Sequence, residues 1–261
     1  KMKSQKIQSV LVFFLVLALT TCASTQSKLD KAKAKDPQYQ YNLGLFYLNN
    51  NNLDEAIKYF NKSLSLDPKN HLAWNALGLA QSMKGNFEAS VQAFRKALEV
   101  NPQFTEARNN LGTIYFELGQ YDKAEAEYRQ ALLDPNYTSR ELPYYNLARL
   151  FFVQEKYDEA YDNIQKAIQV KNRFAMAHNL RGLILEKTGD LDEAVVAFEQ
   201  AVKIVPEDTT FLFNLARAQY DTGQYRKSKE NFEKLYPRLV SQEDRDAVKK
   251  YLEELKKLVK D

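Results

Sequence analysis

The chain has 261 residues, eight glycines and seven prolines, a composition that suits long uninterrupted helix and is too aromatic, at 12%, for a disordered tail. Lys1, Lys3 and Lys6 account for its formal charge of +3, so the remainder is neutral and offers no basic surplus for nucleic acid. One cysteine and two histidines exclude an intramolecular disulfide and a Cys/His metal site, and no cofactor is expected.

The first element is an apolar run, Val10 to Leu19, preceded by Lys3 and Lys6. It has the charge and length of a secretory leader and is short for a bilayer span, so residues 1–21 read as a signal peptide. Leu19-Thr20-Thr21-Cys22 closes the run and resembles the bacterial lipobox. That resemblance implies a lipid-anchored Cys22. Several acyl chains on one residue hold firmly where a single chain holds marginally. Ala23 stands where Asp would imply retention in the inner membrane, so the resemblance implies the bacterial outer membrane, with the folded part facing the periplasm. Residues 22–36 are polar and read as a lipidated N-terminus with a flexible tether.

From Pro37 one pattern recurs. Aligned on a small residue of a first helix, Gly44, Gly78, Gly112, Ala148, Gly182 and Ala216 stand 34 residues apart, except the third step of 36, whose two extra residues fall in the loop 134–140. With Gly78 as position 8, position 20 holds Ala56, Ser90, Ala124, Ala160, Ala194 and Ser228. Position 24 holds Phe60, Phe94, Tyr128, Ile164, Phe198 and Phe232. Small residues at 8 and 20 let two helix axes approach, and the large side chain at 24 fills the space beside them. Gly85, Gly119, Gly189, Gly223 and the pair Asn51-Asn52 mark the turn between helix A and helix B; Glu155-Lys156 is the one such turn without Gly or Asn. Pro68, Pro102, Pro135 and Pro206 end helix B, a stop that repeat four lacks.

Trp74, Leu77, Gly78, Ser90, Phe94, Ala97 and Pro102 resemble the tetratricopeptide-repeat signature nearly in full. The resemblance implies an all-α fold, a right-handed superhelical α-solenoid of about six helix A/helix B repeats over 37–70, 71–104, 105–140, 141–174, 175–208 and 209–240. Residues 241–261 differ. Ser241 with Asp244 reads as an N-cap, and Val248, Tyr251, Leu252, Leu255, Leu258 and Val259 form one stripe, so a C-terminal capping helix is expected.

Catalytic chemistry is not expected. His71 falls in an inter-repeat bend and His178 at position 4, neither with a nucleophile or carboxylate at meaningful spacing. Asp54-Glu55, Asp158-Glu159 and Asp192-Glu193 each open a helix B, where a carboxylate meets the helix dipole favourably. In the repeat family helix A lines a concave groove through positions 2, 5, 9, 12 and 13. Carried onto this chain, the resemblance implies a partner groove of Leu72, Asn75, Leu79 and Met83; Asn109, Thr113 and Phe116; Tyr145, Arg149 and Phe152, with Leu142 and Val153; Asn179 and Leu183, with Met176; and Phe213, Arg217 and Tyr220. This mostly apolar or amide lining suits a helix or extended peptide better than a small polar ligand.

Asn109-Asn110-Leu111-Gly112, then Ala131-Leu132-Leu133-Asp134-Pro135-Asn136-Tyr137 and Tyr145-Asn146-Leu147, resemble the type IV pilus biogenesis lipoproteins, or pilotins. The resemblance implies a non-catalytic adaptor that helps an outer-membrane secretin subunit localise and assemble, with a protein partner in the groove and the membrane reached through the lipid. The alternative is an envelope lipoprotein scaffold that docks peptidoglycan enzymes or other assembly factors.

Overall fold

The computed structural model describes residues 32–259; the leader, Cys22 and most of the tether lie outside the described residues. The described chain is built from α-helices in consecutive antiparallel pairs. The A helices are α1 (Pro37–Asn49), α3 (His71–Met83), α5 (Thr105–Glu117), α7 (Glu141–Val153), α9 (Ala175–Thr188) and α11 (Thr209–Asp221). Their B partners are α2 (Leu53–Leu66), α4 (Phe87–Val100), α6 (Tyr121–Leu132), α8 (Tyr157–Val170), α10 (Leu191–Ile204) and α12 (Tyr225–Leu235), and α13 (Gln242–Leu258) closes the series. The chain forms two compact units, one ending at Ile114 and the other beginning at Tyr115, a division inside α5.

Each pair is joined where the period predicts. Phe60, Phe94 and Phe198 are fully buried, and their rings lie where a Cβ on Gly44, Gly78 or Gly182 would stand, at 2.4, 2.6 and 2.5 Å. No side chain fits between ring and backbone, so the helices meet at the glycine itself. In the fourth pair position 8 is Ala148 and position 24 the smaller Ile164, and both are fully buried. Where position 20 is serine the approach is also hydrogen-bonded: Ser90 Oγ donates to the Gly78 carbonyl and Ser228 Oγ to the Ala216 carbonyl, each at 2.7 Å.

Helix starts are capped by the residues before them. Asn52, Asn70, Asp208 and Ser241 each accept a backbone N–H from the first turn that follows, satisfying a donor the helix cannot pair. The A-to-B turns need one residue in the left-handed region, filled by Asn51 and by Gly85, Gly119, Gly189 and Gly223. In the fourth repeat Glu155 takes it, at φ 59°.

The second unit ends under α13, whose Val248 and Leu255 are fully buried against Leu212, Ala216, Phe232 and Leu235. This helix is placed like a further helix A. Counted from its first residue, however, Lys249 occupies position 8, where a small residue would have to admit a B helix. Asp246, Lys249, Lys250 and Glu253 stand exposed, so the series stops on a charged surface that water solvates.

The backbone strain at Glu155 yields a test. A left-handed conformation costs a non-glycine residue about 1–2 kcal/mol, part of which glycine returns as extra freedom in the unfolded chain. Glu155→Gly is therefore expected to stabilise the protein by about 0.5–1 kcal/mol, raising the melting temperature by roughly 1–4 °C for a chain of this size. Calorimetry of the two proteins measures it.

Candidate partner-binding face

The predicted groove residues fall in both units. In the first, Leu72 and Met83 are 45% and 56% exposed at the two ends of α3, with Asn75 and Leu79 half-buried between them. Asn109 is buried, and the Thr113 hydroxyl donates to the Asn109 carbonyl at 3.0 Å. In the second unit Leu142, Val153 and Met176 are exposed, while Tyr145, Arg149, Phe152, Asn179 and Leu183 are half-buried. On α7, Leu142, Tyr145, Arg149 and Val153 recur at intervals of three and four and share one face.

The aromatic members of this face each lean on a ring of their own unit. Tyr145 lies 5.1 Å from Phe174, Phe152 5.8 Å from Tyr157, and Phe116 5.6 Å from Tyr121. Burial pushes the Tyr145 phenol above its ordinary pKa, with the Arg149 charge opposing the shift. Arg149 stacks over Phe116 at 4.7 Å and stands 3.7 Å from Glu117. Side chains read from sequence as ligand anchors thus also support their own scaffold.

Two expectations are corrected. Phe213 and Tyr220 are covered by the capping helix: Tyr251 lies 6.4 Å from Phe213 and 5.2 Å from Tyr220, and the Tyr220 hydroxyl donates to Glu254 at 2.6 Å. They belong to the apolar cluster beneath α13 because a terminal A helix needs the cover that a following repeat would otherwise supply. Arg217, which the sequence places in the same groove, is engaged within its own unit. Its guanidinium lies 2.7 Å from Glu186 and 3.7 Å from Asp221, which neutralise it.

The asparagine column has a partner in each neighbouring repeat of its unit. Asn110 Nδ2 donates to Asn75 Oδ1 at 3.1 Å in the first unit, and Asn214 Nδ2 to Asn179 Oδ1 at 2.8 Å in the second. The acceptor of Asn75 and of Asn179 therefore ties one A helix to the next, and their donor groups remain for a carbonyl.

A further contact has no single sequence signature. At position 4, Trp74 Nε1 donates to the Pro68 carbonyl and Arg108 Nη2 to the Pro102 carbonyl, both at 2.9 Å, while His178 Nε2 lies 2.8 Å from the Asn172 carbonyl. In α13 Arg245 Nε donates to the Leu239 carbonyl at 2.9 Å. Every pair spans six residues and ties the inter-repeat turn to the following A helix. Only the shared register reveals it, since indole, guanidinium and imidazole have an N–H and little else in common. His71 meanwhile packs edge-on against Phe104 at 4.9 Å. Among the described residues no group of three or more His, Cys, Asp and Glu is arranged to hold a metal ion.

Helix pairs of this length, glycine-aromatic contact and turn chemistry define a helical-repeat interaction protein. Family profiles described as tetratricopeptide repeat match residues 37–70, 75–139, 145–209 and 185–235, and the chain belongs to that family. A TPR repeat-containing protein of Methanocaldococcus jannaschii is 31% identical over 114 residues, 42% of this chain and 20% of that protein. The chain thus spans about a fifth of the length of that curated relative. Two solved structures superpose over most of their own length. PilF of Pseudomonas aeruginosa has a TM-score of 0.72 and 18% identity, covering 84% of this chain and 99% of its own. PilW, described as a widely conserved type IV pilus biogenesis factor, has a TM-score of 0.74 and 20% identity, covering 81% and 97%. At these identities the likeness is one of fold.

The cap provides a pH test. The hydrogen bond to Glu254 holds the Tyr220 proton and, with burial and the carboxylate charge, pushes this phenol up to about 12 from 10.0. A raised value favours the protonated, folded form. The stabilisation is thus fully present below pH 10, the unfolded value, and is lost as pH rises through about 12. The difference in phenolate absorbance between wild type and Tyr220→Phe should show a midpoint near 12; a midpoint near 10 would mean that the bond to Glu254 is absent in solution.

Proposed function

We propose that this chain is a lipid-anchored, non-catalytic adaptor that assists the localisation or assembly of a type IV pilus secretin at the bacterial outer membrane. The observation that carries the binding role is the A-helix face of the second unit, where exposed Leu142, Val153 and Met176 stand beside Tyr145, Arg149 and Asn179. Exposed apolar side chains flanking amide and cationic groups suit an amphipathic helix or extended segment of a protein partner. The pilus assignment is supported by similarity to PilF and PilW over nearly their whole lengths, together with the lipobox-like ending at Cys22. No helix among the described residues is long and apolar enough to cross a membrane, so attachment would rest on the residues before them.

The mechanism is one of concentration. The lipid confines the adaptor to the membrane, the face captures a secretin subunit, and the raised local concentration drives oligomerisation without a bond being made or broken. The same face on an envelope scaffold would retain cell-wall enzymes or other assembly factors, and the identity of the captured protein separates the two.

Exposure selects the variants that test binding without unfolding. Met176→Asp and Leu142→Asp are expected to leave melting within a degree or so, because surface changes usually stay within about 0.5 kcal/mol, and to lower secretin capture in pull-downs at least tenfold, about 1.4 kcal/mol. Tyr145→Ala should lower both, since that ring supports Phe174. Capture that survives both aspartates overturns the assignment of this face, and capture of peptidoglycan enzymes in place of secretin overturns the pilus role.

Replacing Cys22 with Ser should leave the melting curve unchanged and move the protein from the membrane to the soluble fraction. Mass spectrometry of membrane-extracted protein should find acyl chains on Cys22 and no leader; an unmodified cysteine defeats the anchor.

A further inference from the structure

Position 10 of helix A is buried in every repeat that has a predecessor: Ala80 is 0% exposed, Ile114 3%, Leu150 0%, Ile184 0% and Ala218 3%. In the first repeat the same position is Phe46, 59% exposed. Position 3 shows the same contrast, with Ala73, Ala107 and Ala177 at 0% and Tyr39 half-buried. Seven residues apart on α1, Tyr39 and Phe46 share one face. Phe46 lies edge-on to Tyr47 at 5.4 Å, and Tyr47 stacks on Tyr59 at 5.2 Å, whose ring carries the Lys58 ammonium 5.3 Å from its centre, so the exposed phenyl continues into half-buried aromatics. A soluble end would carry charge here, as α13 does at the other terminus.

We infer that this leading face of the first repeat rests on the phospholipid surface, an inference that relies on the lipid-anchored reading above. Three observations favour lipid over another occupant. The chain enters the described structure beside this face, since the Gln40 side-chain amide donates to the Lys33 carbonyl at 3.0 Å and the Lys33 ammonium lies 5.6 Å from the centre of the Tyr39 ring. Even fully extended, the ten steps from Cys22 to Ala32 span at most about 35 Å, so an acylated Cys22 keeps the start of the first repeat within that distance of the bilayer. The chemistry also matches. Lys28, Lys31, Lys33 and Lys35 cluster before α1, opposed by Asp30 and Asp36, the latter engaged as the helix N-cap. Basic residues beside exposed phenylalanine and tyrosine are the pattern that settles at an anionic headgroup layer.

The test uses the full lipidated chain in phosphatidylethanolamine–phosphatidylglycerol vesicles, with and without brominated acyl chains. Phe46→Trp adds a fluorophore to the single Trp74, and the wild-type protein provides the baseline. The added emission should be strongly quenched by bromine. The emission added by Met83→Trp, at an exposed site on another helix, should be quenched far less. Independently, in the unlipidated Cys22→Ser chain, Lys33→Gln should reduce residual partitioning onto the same vesicles by roughly fivefold. If the lipidated Phe46→Trp protein floats with vesicles but its added emission is not quenched, the docking inference fails and the anchor stands. Self-association lost on Phe46→Asp, with no lipid contact, would identify a second copy as the occupant and also overturn it. A chain that neither floats nor carries acyl groups overturns both readings.

Discussion

Three of the helix pairs depend on one close contact, an aromatic side chain at position 24 lying where a Cβ would otherwise stand on the glycine at position 8. With Phe60, Phe94 and Phe198 fully buried against Gly44, Gly78 and Gly182, the pair can neither slide nor rotate without opening a cavity. Such a contact fixes the angle at which helix B leaves helix A. The next repeat inherits that geometry, and the face offered by its A helix is set before any functional side chain is chosen. Where position 8 is alanine, position 24 is Ile164 in the fourth pair but still a ring, Phe232, in the sixth, all of them fully buried.

Between repeats the structure uses polar contacts. The position-4 donors fasten the turns before the second, third and fifth A helices, and the asparagine pairs bridge successive A helices. Both sets lie where apolar packing alone would leave backbone carbonyls or amides unpaired, a costly arrangement in a partly buried setting. The acceptors of Asn75 and Asn179 are thereby committed to the scaffold.

The two ends of the repeat series are finished in opposite ways. At the C-terminal end α13 covers Phe213 and Tyr220 and turns charged residues outward. At the N-terminal end Phe46 is left uncovered. A repeat protein must terminate both ends, and a polar outer face is the usual way to do it.

The repeat period, the helix boundaries and the glycine-aromatic pairing were legible in the sequence because they are local: each needs a residue type at a fixed spacing along a helix or a turn. Glu155 was visible as the odd turn for the same reason, although its left-handed backbone is a fact of the folded chain. The fate of the predicted groove was not legible. Phe213 and Tyr220 fit the groove positions as well as Tyr145 does, and differ because a helix over thirty positions away covers them. The position-4 tie escaped the sequence because Trp74, Arg108 and His178 share an N–H and no pattern. Sequence alone determined which residues could face outward from helix A; tertiary packing decided which do, since burial depends on what the rest of the chain lays over a side chain, and spacing carries no record of that.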